Sequence, residues 1–358
     1  MKKRNLIAMA LVAAMSMTMF GCGSAPAEEK ADAPAAESAA EETAEAAAPA
    51  ELKDWEKEYA DSYDLSGDEE VTVGFIAQNF ADEFSSRVQR EMEAYFKANY
   101  PNAKLSVGDG KGEVNTHIEL AENFITQGVD CLVCCSADSN GEIVICEQAQ
   151  EAGIPFVVVN SDIACDPADH PFVGSDHYVS GHLQGEYVAK AIEAGDIDNS
   201  ETLKICYLGG TDGFTHTTLR RQGFYEAMDE AGVDYEVLAD LEGEYLRDRG
   251  MDITEDWITQ YGEEIDMIVA ANDEMAMGAL QALQAAGQTN TICCGIDAND
   301  DAIAAVESGA FGCTVFQDAE GQGKWGAILA YNGAIGKEID NVSIPYILVD
   351  KDNVAEYK

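Results

Sequence analysis

The sequence predicts an α/β fold of two doubly wound lobes, each built on a mostly parallel sheet. Three observations carry that reading. Short β-branched runs alternate with amphipathic helical stretches from residue 70 onward, the alternation breaks and resumes near residue 204, and the residues closing the apolar runs are polar.

The first lobe reads as a strand at Val71–Ile76, a helix from Glu83, a strand at Leu105–Val107, a helix from Thr116, a strand at Cys131–Cys135, a helix from Glu142 and a strand at Phe156–Asn160. The second resumes with a strand at Lys204–Leu208 and continues with helices from about Thr217 and Leu246. Its further strands are Tyr235–Leu238, Met267–Ala270, Ile292–Gly295 and Gly312–Phe316, and a late helix starts at Glu320. Ligands of such sheets sit beyond the carboxyl ends of the strands. That rule selects Gln78, Asp82, Phe84, Asn160, Ser161, Asn272, Asp273, Asp297 and Gln317. Each Asp or Asn also suits a turn or a helix cap, but their recurrence after successive strands favours one shared site. Amides and carboxylates beside aromatic faces such as Phe84 and Tyr245 suit a neutral polyol, because they bind hydroxyls without attacking anything.

The chain has 358 residues and is 46% hydrophobic, enough for two cores. Its 67 acidic residues against 21 basic ones give a net charge of −46, which repels nucleic acid and anionic lipid surfaces alike. There is no G-x-S-x-G, P-loop, H-E-x-x-H or strand-linked G-x-G-x-x-G, and the five histidines, at 117, 170, 177, 182 and 216, are scattered. No enzyme is expected. Most cysteines lie inside apolar runs, where Cys packs as a small hydrophobe. Cys131-x-x-Cys134 has neither a second pair nor a His at ligand spacing, so no zinc is assigned there.

At the N-terminus, Lys2, Lys3 and Arg4 precede an apolar run from Leu6 to Phe20, too short to span a bilayer, as in an export signal at residues 1–21. Met19-Phe20-Gly21-Cys22 resembles the lipobox of bacterial lipoproteins, which implies acylation of Cys22. Residues 24 to about 50, nearly all Ala, Glu, Asp, Pro, Ser and Thr, read as a solvated tether, and 22–69 together as tether and lead-in. The expected location is the outer face of the cell membrane, anchored through Cys22, or the periplasm where an outer membrane exists.

Residues 70–358 resemble the periplasmic sugar-binding proteins of ABC importers, which have the type I binding-protein fold, and among these the galactose/glucose-binding members look closest. The resemblance rests on Phe172-Val173-Gly174-Ser175-Asp176, Gly185-Glu186-Tyr187, the run Asn272-Asp273-Glu274-Met275-Ala276-Met277-Gly278-Ala279, Gly295-Ile296-Asp297 and the ending from Ile344-Pro345-Tyr346 to Asn353. It implies two lobes joined by three crossovers, near 175–176, 317–318 and 342–345. The lobes would then comprise 70–175 with 318–342, and 176–317 with 343–358.

The resemblance further implies that Asp82, Asn160, Asn272 and Asp297 are polar ligands, Gln317 a hinge ligand, Phe84 and Tyr245 stacking faces and Arg220 a donor to sugar hydroxyls. Phe214 and His216 stand where galactose/glucose members carry His and Asp, Gln78 replaces an aromatic alcohol, and Tyr245 a tryptophan. The expected function is capture of a galactose- or glucose-like hexose by a monomeric protein that performs no chemistry and delivers the sugar to an ABC permease. A sensory receptor of the same fold is the alternative. Sugar-responsive repressors share the core but need a basic DNA-binding headpiece, which is absent here. No cofactor is expected beyond a weak calcium candidate, the loop with Asp196, Asp198 and Ser200, which lacks the turn Gly and ends on Lys204.

Overall fold

The computed structural model describes residues 51–166 and 170–358. Cys22 and most of the acidic tether lie outside them. In chain order the elements are β1 (Thr72–Ala77), α1 (Glu83–Asn99), β2 (Lys104–Asp109), α2 (Val114–Gln127), β3 (Cys131–Cys134), α3 (Ile143–Ala152), β4 (Phe156–Val159), β5 (Phe172–Gly174), α4 (His177–Ala194), β6 (Leu203–Gly209), α5 (Thr215–Glu230) and β7 (Tyr235–Glu242). There follow α6 (Arg247–Tyr261), β8 (Met267–Ala270), α7 (Asp273–Ala286), β9 (Ile292–Cys294), α8 (Asp300–Ser308), β10 (Thr314–Phe316), α9 (Ala319–Ala334), β11 (Val342–Ser343) and β12 (Ile347–Val349).

Two sheets result. The first runs β11-β5-β4-β3-β1-β2, parallel throughout, with Val73 paired to both Leu105 and Cys131. The second runs β7-β6-β8-β9 in parallel, and isolated bridges from Cys294 to Cys313 and from Asp297 to Phe316 link it to the antiparallel pair β10-β12. Between the lobes the chain passes from β5 to α4, from β10 to α9 and from β11 to β12, so α9 and β11 belong to the first lobe although they follow the second in sequence. Strands β4, β3 and β8 are buried along their whole length, as central parallel strands covered on both faces must be. The expected strand Tyr235–Leu238 extends to Glu242. The apolar alternation in the sequence does not mark β5, β11, β12, α4, α7 or α8, whose periodicity is short or diluted by Gly, His and Gln.

Alternation along β3 settles the Cys-x-x-Cys motif. Cys131 and Cys135 enter the core beneath α1 and α9, whereas Cys134 enters the opposite core beneath α2 and α3. Residues three apart on a strand face opposite ways, so Cys131 and Cys134 cannot share a metal.

The lead-in is partly folded. Trp55, Tyr59 and Tyr63 ring the fully buried Trp325 of α9, with centroids 6.2, 5.6 and 6.2 Å away. Trp325 Nε1 donates to Glu56 Oε1 at 2.8 Å, and Lys324 Nζ pairs with the same oxygen at 2.7 Å. The first lobe therefore begins before residue 70, because α9 leaves an aromatic groove that only this segment fills.

Candidate ligand site between the lobes

Asp82 and Asn272 each end the loop after a strand and cap the helix that follows: Asp82 Oδ1 accepts from Ser85 N at 2.7 Å and Asn272 Oδ1 from Met275 N at 3.0 Å. Both are helix caps as well as cleft residues, and one oxygen of each is committed. Asn160 and Asp297 have φ values of 64° and 123°. Asn and Asp tolerate such backbone better than most residues, which accounts for their place at these turns. Tyr245 holds φ 63°, a conformation costing a large side chain about 1–3 kcal/mol. Its ring is seated over Gly210, where a Cβ would lie 1.9 Å from Tyr245 Cζ.

Arg220 is positioned by a close helix crossing. A Cβ on Gly181 of α4 would sit 1.8 Å from Arg220 O, and one on Gly223 of α5 2.2 Å from Tyr178 O, so only glycines let α4 and α5 touch backbone to backbone. The Arg220 side chain is 4% exposed, while its neighbour Arg221 pairs with Asp240 at 2.9 Å. Arg220 Nη1 donates to Ala271 O, and Nη2 to Gln317 Oε1 at 2.7 Å and Tyr346 OH at 3.3 Å.

Two routes lead from this guanidinium to Asn160. In one, Gln317 Nε2 donates to Asn160 Oδ1 at 2.8 Å. In the other, Tyr346 OH lies 2.8 Å from His177 Nδ1, and His177 Nε2 lies 2.7 Å from Asn160 O. A carbonyl can only accept, so Nε2 carries the proton and Nδ1 accepts from Tyr346. Burial beside Arg220 pushes the His177 ring down to about 3, which keeps it in this neutral form. Gln317, His177 and Tyr346 stand one at each passage between the lobes.

Gln78, Asp82, Phe84, Asn160, His216, Arg220, Tyr245, Asn272, Asp297 and Gln317 line one void with room of about 20 Å³. That is far below the roughly 300–1,000 Å³ of small-molecule sites, so these side chains must part to admit a solute. The walls touch across it, with Ser161 Oγ 3.5 Å from His216 Nδ1, so the lobes are closed. Gln78 is anchored by Nε2 donating to Ser136 O at 2.6 Å. Desolvation pushes the Asp82 carboxyl up to about 6 and the Asp297 carboxyl well above its ordinary value, with Arg220 pulling both back. Asp297 is 4% exposed, and its carboxylate receives no hydrogen bond from the described residues.

Ten of the eleven candidate residues thus line one space. Phe214 does not: it lies behind the wall, its ring parallel to Tyr245 at 6.2 Å, and supports that ring from outside. Asp273, also selected by the strand-end rule, is fully buried, where Oδ1 accepts from Thr314 Oγ1 at 2.7 Å and Oδ2 from Asn299 N at 2.8 Å. It braces the Asp297 turn. His177 and Tyr346, which the strand-end rule does not select, each stand one residue beyond an expected crossover. In the calcium candidate, Asp196 pairs with Lys351 at 2.6 Å and Asp198 Oδ1 accepts from Ser200 N at 2.9 Å.

Residues 73–338 match the family model for the periplasmic binding protein domain. The chain belongs to the periplasmic binding protein family. It is accordingly a binding protein and not an enzyme. It is similar to a putative rhizopine-binding protein of Rhizobium meliloti, at 31% identity over 80% of this chain and 92% of that one. It is also similar to a D-galactose/methyl-galactoside binding periplasmic protein of Haemophilus influenzae, at 26% identity over 80% and 91%. Among solved structures it matches an ABC transporter solute binding protein from Bacillus halodurans with bound myo-inositol. The TM-score there is 0.75 at 33% identity, covering 81% of this chain and 98% of the other. No helix among the described residues is long and apolar enough to cross a membrane.

Proposed function

We propose that this family member is an exported, sugar-binding component of an ABC transporter whose solute is a ring polyol of the myo-inositol kind. The observation that carries the choice is the distribution of polar groups. Donors and acceptors enter the void from the first lobe (Gln78, Asp82, Asn160), from the second (Arg220, Asn272, Asp297) and from the hinge (Gln317). A cyclitol carries a hydroxyl on every ring carbon and can answer groups on all sides, whereas an aldopyranose offers a ring oxygen and a hydroxymethyl arm. Arg220 Nε, a buried donor with no partner among the described residues, suits a hydroxyl oxygen, and the Asp297 carboxyl, which receives no hydrogen bond from the described residues, suits a hydroxyl donor in a dry cleft. The galactose/glucose expectation is weakened by Phe214 and His216, which leave no carboxylate at that edge. The myo-inositol-bound relative is also more similar than the galactoside-binding one, at 33% against 26% identity.

Calorimetric titration of the chain with myo-inositol, galactose, glucose, ribose and xylitol tests this. Myo-inositol is expected to bind at least about tenfold more tightly than galactose, a difference of 1.4 kcal/mol. Equal or tighter binding of galactose would restore the hexose assignment. The Gly21-Cys22 signal supports a lipid anchor as part of the same role. Replacing Cys22 by Ser should move the protein from the membrane to the soluble fraction, and a wild-type protein found wholly soluble excludes the anchor.

A further inference from the structure

We propose that the first lobe holds a second site, for a thiophilic divalent metal ion of the zinc type, formed by Cys146, Cys165 and His170. Cys146 projects from α3, and Cys165 and His170 lie on the connection from β4 to β5. One ligand atom from each lies within 4.8 Å of the other two. A tetrahedral zinc site with Zn–S near 2.3 Å and Zn–N near 2.0–2.1 Å has ligand-to-ligand edges of about 3.5 Å. Cys165 Sγ is 3.2 Å from His170 Nδ1, close to such an edge.

The orientation of His170 distinguishes this cluster from a chance meeting of side chains. Its Nε2 lies 2.9 Å from Asp162 Oδ1. An ionised carboxylate accepts, so the proton sits on Nε2 and the Nδ1 lone pair is turned toward the two sulfurs. A carboxylate behind the imidazole is the usual means of fixing the tautomer and raising the basicity of a metal-binding histidine. Cys146 and His170 are 1% and 2% exposed. Both sulfurs and the imidazole are soft or borderline donors, which disfavours calcium and magnesium. Three protein ligands leave the fourth position to water.

The site would have a mechanical role. Asp162 is two residues beyond Asn160 and follows Ser161, which meets His216 across the cleft. A metal tying this connection to α3 would fix the end of β4 that presents Asn160. The inference is independent of the solute assignment, because no member of the trio lines the cleft.

The test uses the full chain purified without chelators under mild reducing conditions. About one equivalent of zinc should remain after dialysis, and replacement by Co²⁺ should produce a near-ultraviolet thiolate-to-cobalt band with visible d–d absorption. The band should weaken in Cys165→Ser and vanish in Cys146→Ser/Cys165→Ser. It should persist in Cys134→Ser, which breaks the separate buried trio of His117, Cys134 and Glu142. Asp162→Asn should weaken zinc binding about 10–100-fold while leaving the band in place at saturating metal. Wild-type chain that keeps no metal and gives no cobalt band overturns the proposal whether or not the variants fold. So does a band surviving in the double variant, or a Cys146–Cys165 disulfide peptide, with the mass lowered by two hydrogens, in freshly extracted protein.

Discussion

The two lobes share a plan but divide the labour differently. The first spends its aromatic residues on its own core: Trp325 is encircled by Trp55, Tyr59 and Tyr63, and Tyr100 stacks on Tyr331 at 3.9 Å. It sends Gln78, Asp82, Phe84 and Asn160 to the cleft, and Gln78 and Asp82 already hold protein partners. The second lobe places its charged and unusual groups in the cleft, with Arg220 buried, Asp297 receiving no hydrogen bond from the described residues, and Tyr245 and Asp297 at positive φ. Buried charge of both signs and strained backbone thus meet on the second lobe's side of the cleft.

That contrast is open to direct tests. Trp325→Ala should remove about 3–5 kcal/mol of stability, through the cavity and the lost hydrogen bond to Glu56, while the solute affinity of the folded fraction changes little. Chemical denaturation paired with calorimetry reads both quantities, and a comparable loss of affinity would mean the first lobe is no passive platform. Arg220→Ala should do the reverse. It strips donors from Gln317 and Ala271 as well as from the solute, and should weaken binding by about 3 kcal/mol or more. Unchanged affinity would place the solute elsewhere.

Asp297→Ala should lower affinity by about 1.5–3 kcal/mol, the usual worth of a hydrogen bond to a charged group, with Asp297→Asn falling between it and wild type. The smallest effect is a pH dependence. The Asp82 carboxyl titrates near 6 in the folded chain against an ordinary value of 3.8. Between those values the folded chain holds a proton that the unfolded chain has released, so this group's contribution to stability falls as pH rises from about 4 to 6. Hydroxyl binding runs the other way, since the ionised form is the better acceptor. Affinity for myo-inositol should therefore drop a few-fold as pH is lowered through about 6. Calorimetry on Asp82→Asn should show that step flattened, and a step unchanged in Asp82→Asn would assign it to another group.

Much of this was legible in the sequence because parallel α/β sheets place their functional groups by a local rule. Asn272, Asp297 and Gln317 could be found by stopping at the end of each apolar run, and the runs themselves mark β1–β4 and β6–β10. Illegible parts depended on contacts distant in the chain. Phe214 reads like a cleft residue until α5 turns it behind Tyr245. His177 and Tyr346 meet only because the first and third crossovers lie side by side. Cys146 and His170 are 24 positions apart with no motif between them, and the docking of Trp55 on Trp325 spans most of the chain. The setting of the Asp297 carboxyl has no sequence signal, since Arg220 and Asp82, which act on it, come from distant parts of the chain.

The paired hydrogen-bond routes from Arg220 to Asn160 have an evolutionary consequence. Each passage between the lobes contributes one member, so a change at Arg220, Gln317, Asn160, His177 or Tyr346 alters the hinge together with the pocket. A lineage drifting toward a new solute would forfeit its closing motion if it began there. Gln78, Phe84 and His216 stand outside those routes, where trial substitutions leave the hinge intact, and innovation in what this architecture carries should be recorded first at those three positions.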